Sequence, residues 1–182
     1  MSAPRPRWRP GDDRADLHSM IRVDQAGEYG ATRIYAGQLA VLGESHPAAH
    51  VIAHMAQQEK RHLDTFDQMM IERGVRPTVL HPFWTVAGYW LGAATALIGP
   101  GAAMACTAAV ETEIDKHYSD QRRALGDDEP DLAATIEDFQ REELEHRDTA
   151  IAHGAEVTFG YPVLSALIRA GCRAAISLSK RI

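Results

Sequence analysis

Two stretches of the sequence pair a glutamate with a histidine one helical turn later, Glu59 with His62 and Glu143 with His146. Side chains at i and i+3 on a helix share a face, with Cβ atoms about 5–6 Å apart. Each pair therefore presents a carboxylate and an imidazole to one point. A lone glutamate precedes each pair: Glu28 stands before Glu59 at almost the same separation as Glu111 before Glu143. The same three donors thus recur in the same order, Glu28, Glu59 and His62 answering to Glu111, Glu143 and His146. Such a near-constant offset is the mark of a structural unit used twice. The chemistry open to this set is metal binding. Four ionised carboxylates facing a dry interior are prohibitive alone, and two divalent cations neutralise them. Mixed carboxylate and imidazole ligation suits iron or manganese better than zinc or copper.

Four helices must position these donors, and the hydrophobic periodicity supplies them. From Asp12 to Leu42 the residues Ile21, Gln25, Glu28, Tyr35, Leu39 and Leu42 fall on one stripe. A second helix runs from Pro47 to Arg73, with Val51, Met55, Glu59, His62, Phe66 and Met69 on one face. Glu111 belongs to a helix over 101–125, and Leu132, Ile136, Phe139, Glu143, His146 and Ala150 align on one over 130–154. Each donor lies on an apolar stripe, which a solvated surface charge does not do. Glu142 is a near substitute for Glu143, since it lies at i, i+4 from His146. Glu113 reads as a surface residue. Asp24, His117 and Tyr118 are candidates to stand behind the ligands, with Asp24 placed to take the outer N–H of His62 or His146. His153 reads as a polar core residue.

Two more helices complete the pattern. The stretch 77–110, between Arg76 and Glu111, contains no Asp, Glu, Lys or Arg. Gly99-Pro100-Gly101 divides it, leaving an apolar helix over 82–98. A last amphipathic helix over 162–182 mixes Leu167, Ile168 and Ile176 with Arg169, Arg173, Lys180 and Arg181. No segment alternates apolar and polar residues long enough for a sheet. The expected class is all-α, a ferritin-like four-helix bundle with two additional helices, six in total. Residues 1–11 read as a loose N-terminal tail and 12–182 as a single domain. A net charge of −6 gives no footprint for nucleic acid. Cys106 and Cys172, without metal-type spacing, read as buried small residues. The N-terminus has no apolar run and turns acidic at Asp12, so neither a secretory signal nor a transit peptide is expected.

The residues assembled above resemble one family, the demethoxyubiquinol hydroxylases of ubiquinone biosynthesis. Ile21-Arg22-Val23-Asp24-Gln25-Ala26-Gly27-Glu28-Tyr29-Gly30-Ala31 is similar to that family's first-helix signature, and Gln57-Gln58-Glu59-Lys60-Arg61-His62-Leu63 to its second. Met104-Ala105-Cys106-Thr107, leading through Val110-Glu111 to His117-Tyr118, resembles the third, and Glu142-Glu143-Leu144-Glu145-His146-Arg147-Asp148 the fourth. The resemblance spans roughly positions 17–182. The lack of an import extension makes the chain look like a bacterial-type member. The resemblance implies two iron ions held by Glu28, Glu59, His62, Glu111, Glu143 and His146, with His117 and Tyr118 near them. It implies O₂-dependent hydroxylation of a polyprenylated methoxy-methyl-benzoquinol at its one unsubstituted carbon. Electrons come either from the quinol or from NADH; no flavin motif is present.

A bilayer-borne substrate implies a membrane surface. The expected arrangement is peripheral, on the cytoplasmic side of the cell membrane, with the helices over 82–98 and 162–182 half-sunk and opening onto a substrate channel. The alternative use of those helices is as core or as a homo-oligomer interface. Other proteins of ubiquinone biosynthesis, including a lipid-carrying accessory protein, are candidate partners. Two rival functions share parts of this pattern. A ferritin-like iron-storage or peroxide-scavenging protein has the same ligands but no need of the uncharged stretch. A non-catalytic lipid-binding assembly protein has no need of four inward carboxylates.

Overall fold

The computed structural model describes residues 16–181; the expected tail over 1–11 and the first residues of the expected helix from Asp12 lie outside them. Six helices follow one another: α1 (Leu17–Leu42), α2 (Pro47–Arg73), α3 (His81–Ile98), α4 (Pro100–Leu125), α5 (Pro130–Ala152) and α6 (Tyr161–Ser179). The described residues contain no strand. The chain is all-α, as its periodicity requires.

Local chemistry sets the boundaries. The Asp16 carboxylate accepts the Ser19 N–H at 3.1 Å and caps α1. Pro47, Pro100 and Pro130 open α2, α4 and α5, where a missing N–H costs nothing. Gly99 separates α3 from α4 with φ at 146°, a value a side chain rarely adopts, so the uncharged stretch folds as two helices rather than one span.

α1, α2, α4 and α5 form the bundle, with α1 packed on α2 and α4 on α5. α3 lies along α1, and α6 lies along α4. The repeat is therefore three helices long, one helix more than the donor spacing alone reveals. α3 approaches α1 without room for side chains: a Cβ on Gly92 would sit 1.9 Å from the Ile34 carbonyl oxygen, and one on Gly37 would sit 2.1 Å from that of Tyr89.

Two of the core's apolar clusters flank the donors. One gathers Ile21, Phe66, Tyr118, Leu132, Ile136 and Phe139. The other gathers Tyr35, Ile52, Met55, Met104, Ala108 and Ala150. On every bundle helix the donors fall between a residue of one layer and a residue of the other: Glu28 between Ile21 and Tyr35, Glu59 and His62 between Met55 and Phe66, Glu111 between Met104 and Tyr118, Glu143 and His146 between Phe139 and Ala150. The carboxylates thus sit mid-bundle with apolar packing on both sides.

Candidate metal centre

The structure brings all six donors together, each no more than 3% exposed. They form two overlapping sets whose ligand atoms lie within 4.8 Å of one another: Glu28, Glu59, His62 and Glu143 in one, and Glu59, Glu111, Glu143 and His146 in the other. Glu59 and Glu143 belong to both sets. Each set takes three donors from one half of the repeat and one from the other.

Both imidazoles turn Nδ1 inward. His62 Nδ1 lies 3.2 Å from Glu28 Oε2 and 2.9 Å from Glu143 Oε1. His146 Nδ1 lies 3.0 Å from Glu143 Oε2 and 3.2 Å from Glu59 Oε1. The outer nitrogens are held from behind. His62 Nε2 donates to Glu142 Oε2 at 2.9 Å, and His146 Nε2 donates to Gln58 Oε1 at 3.1 Å. Those acceptors fix the tautomer that leaves Nδ1 for a cation. Two tyrosines cross the bundle in the same manner: Tyr35 donates to Glu111 Oε1 at 3.2 Å, and Tyr118 donates to Glu28 Oε1. The His62 ring stacks on Phe139 at 4.0 Å, and Phe66 meets Phe139 edge-on, which closes one end of the site to water.

Burial pushes the Glu28, Glu59 and Glu111 carboxyls above the ordinary carboxylate range. Burial would raise Glu143 as well, but hydrogen bonds from His146 and His62 outweigh it and hold this carboxylate down to about 2. Burial disfavours the charged His62, yet hydrogen bonds to Glu143 and Glu28 raise it to about 10. Four buried acids thus share too little positive charge. Glu59 Oε1, fully buried, accepts no hydrogen bond. The donor set fits two divalent cations: they supply the missing charge and use the orphaned lone pair. A bundle core holding one Glu from each of two helices and a Glu-x-x-His from each of the other two is the general ligand pattern of di-iron and di-manganese carboxylate proteins.

Several expectations need correction. Glu142 does not replace Glu143. It accepts from His62 and pairs with Arg61 at 2.6 Å on the outer side of the imidazole. Asp24 reaches neither ligating histidine: it lies 3.2 Å from His117 Nε2 and accepts from Gln121 at 2.7 Å. His117 accordingly touches Asp24 and Gln121, and only Tyr118 of the three residues expected behind the ligands contacts one. Glu113 is buried, not on the surface, and receives Arg169 at 2.7 Å and Arg173 at 2.9 Å from α6. His153 is exposed rather than core. Cys106 is fully buried and Cys172 partly so; burial pushes both thiols up to about 12.

Tyr35, Gln58 and Gln121 escaped the reading of the sequence, although the repeat marks the first two. Tyr35 follows Glu28 by the same two turns that separate Tyr118 from Glu111. Gln58 immediately precedes Glu59, as Glu142 immediately precedes Glu143. Any residue that serves one half in this way invites inspection of its counterpart.

Comparison with known proteins agrees with this geometry. Residues 15–179 match the family model described as ubiquinone biosynthesis protein COQ7. The chain belongs to this family. A COQ7-family relative from Rhodospirillum rubrum, named 3-demethoxyubiquinol 3-hydroxylase, is 55% identical over 95% of this chain and 82% of its own. A mouse relative, named NADPH-dependent 3-demethoxyubiquinone 3-hydroxylase, mitochondrial, is 53% identical over 93% of this chain and 79% of its own. A Saccharomyces cerevisiae relative, named 5-demethoxyubiquinone hydroxylase, mitochondrial, is 43% identical over 92% and 79%. All six donors of this COQ7-family chain fall within the matched residues.

Proposed function

We propose that this COQ7-family chain is an oxidoreductase that uses O₂ to hydroxylate the ring of a polyprenylated methoxy-methyl-benzoquinol, taking demethoxyubiquinol to demethylubiquinol. The observation that carries this reading is the pair of overlapping buried donor sets beside an apolar cavity. Glu28, Glu59, His62, Glu111, Glu143 and His146 would hold two iron ions. When bound, the iron pair supplies the O₂ chemistry of ring hydroxylation.

The protein's own residues do the rest. A cavity of about 490 Å³ opens among α1, α3, α4 and α6. Its walls include Gly27 and Ala31, which flank Glu28, and Val110 and Ile114, which flank Glu111. Trp84, Leu91, Leu164 and Ile168 line the approach from the two additional helices. This space suits a substituted ring trailing a prenyl chain, since such ligands need an apolar cleft with few polar groups. The ring is brought beside the helix segments carrying Glu28 and Glu111, and the apolar walls exclude water there. Tyr118 and Tyr35 orient those two carboxylates, while Glu142 and Gln58 hold His62 and His146 in the ligating tautomer. Reducing equivalents come from a reduced nicotinamide such as NADH; the name of the mouse relative specifies NADPH.

Phe83, Val86, Trp90 and Leu97 form a stripe on the outer face of α3, each at least 58% exposed. Val163 and Leu167 extend the apolar surface onto α6. Among the described residues no helix is long and apolar enough to cross a membrane. The supported arrangement is a peripheral one on the cytoplasmic side of the cell membrane, with this surface against lipid and the substrate entering between α3 and α6. A lipid-carrying accessory protein or a second copy of the chain would meet the same surface. Arg169 and Arg173 reach Glu113 and stay partly exposed on α6.

The test is single turnover of the reduced, iron-loaded protein with ¹⁸O₂ and the benzoquinol. Label in the product hydroxyl is expected; unlabelled product would overturn the reading. In a strain lacking the hydroxylase, the chain should restore ubiquinone and its Glu59→Ala and Glu143→Ala variants should not.

A further inference from the structure

The two imidazoles of the centre are related by the internal repeat, but their surroundings differ. Behind His62 stand a carboxylate, Glu142, and the guanidinium of Arg61, which also reaches Asp138 at 3.3 Å. That side is covered by the ion pairs of Arg61 with Glu142 and Asp138. Behind His146 stands only the neutral amide of Gln58. His146 and Gln58 line a separate groove of about 360 Å³ between α2 and α5, away from the apolar cavity.

The mouth of this groove carries His50, His54, Glu145 and His153, all exposed. His50, His54 and Gln58 recur at i, i+4 and i+8 along α2, so they form one line from the surface inward. Across the groove, Glu145, Thr149 and His153 repeat the same step along α5 and just past its end. The His153 Nδ1 donates to the Thr149 carbonyl at 2.8 Å, which leaves its Nε2 lone pair free. The repeat provides an internal control. In the register that pairs His62 with His146, the counterparts of His50, His54 and His153 are Ala134, Asp138 and Met69, and the counterpart of Glu145 is Arg61. One face of the centre is thus covered by ion pairs, while its twin offers three imidazoles and a carboxylate.

We propose that the α2–α5 groove is a capture site for a divalent transition-metal ion, and that it loads the two-metal centre past Gln58 and His146. Imidazole and carboxylate together suit a ferrous ion. Three imidazoles and the Glu145 carboxylate offer such an ion lone pairs at the entrance. The inference rests on the assignment of the buried donors as a two-metal centre.

The test uses the full chain stripped of metal, with Co²⁺ as the probe, and compares it with the triple variant His50→Ala, His54→Ala, His153→Ala. All three positions are exposed, so the variant keeps its core. Calorimetric titration is expected to show three Co²⁺ ions per wild-type chain and two per variant chain. Stopped-flow absorbance is expected to show the variant filling its buried sites more slowly at limiting Co²⁺, because it lacks the imidazoles that hold the ion at the entrance. A third ion retained by the variant, or an unchanged filling rate, overturns the proposal. If wild type binds two ions and no third, the groove is refuted and the buried centre stands. If it binds none, the centre itself is refuted, and the loading route with it.

Discussion

Glu143 is shared by both donor sets, whereas Glu142, one position earlier, only steadies His62 from outside. Glu143→Gln is therefore expected to abolish binding of both ions, while Glu142→Gln leaves two ions bound with affinity lowered by about 10–100-fold, the usual effect of losing a group that orients a ligand. Metal content after gel filtration, together with titration, separates the two. The tyrosines give a finer pattern. Tyr118→Phe removes the donor to Glu28, and Tyr35→Phe the donor to Glu111, so each should weaken one ion of the pair and spare the other, as resolved by the two steps of a Co²⁺ titration. Protonation supplies a further prediction for the metal-free chain. Glu28, Glu59 and Glu111 are raised from an ordinary value of 4.5, and His62 from 6.5 to about 10. Groups raised in this way contribute their full stability below the unfolded value and lose it as pH climbs through the folded one. Glu143 acts oppositely, but its contribution is lost only below 4.5, towards about 2. The melting temperature of the chelator-treated protein should thus fall from about pH 5 to about pH 9. Added Fe²⁺ should reverse the trend, because a cation favours deprotonated ligands. A rising curve in the metal-free protein would contradict the charge balance drawn here.

At the scale of the helices, α3 depends on closeness to α1. A Val at position 92 would drive its side chain into the Ile34 backbone, which cannot retreat as a flexible side chain would. Gly92→Val is expected to lower stability by about 1–3 kcal/mol, as overpacking does, and to make the half-buried Trp84 more accessible to quenchers such as acrylamide. The helices themselves were legible, since stripes, prolines and glycines all agree on their limits; the α2 bounds match those expected, and the others shift slightly. The six donors were legible for a different reason: a spacing that recurs almost unchanged in both halves is specific, and each donor lies on an apolar stripe. What escaped depends on neighbours in space. Glu113 reads as solvent-facing until α6 brings Arg169 and Arg173 onto it. Asp24 has two histidines within plausible reach and bonds to a third. His153 seemed interior because it stands two turns past His146, but the helix ends at Ala152 and leaves it outside.

The whole molecule has two working sides. α3 and α6 present the apolar surface and the cavity, while α2 and α5 present the histidine-lined groove. If the first side meets lipid, Phe83→Asp with Trp90→Asp should abolish flotation with anionic vesicles yet leave metal content unchanged; flotation equal to wild type would move the contact elsewhere. Each of the two donor sets draws on both halves of the chain, and neither half encloses one alone. That sharing also bears on how the chain can vary. Two identical three-helix subunits could build the same centre as a symmetric dimer, but they would have to carry one residue at both position 58 and position 142, and one at both 61 and 145. Joined through Gly99-Pro100 in a single chain, the halves are freed from that identity. Glutamine can stand over one imidazole and glutamate over the other, and arginine can guard one flank while glutamate holds the opposite one. Covalent linkage thereby turns a structure with two equivalent sides into one with a front and a back.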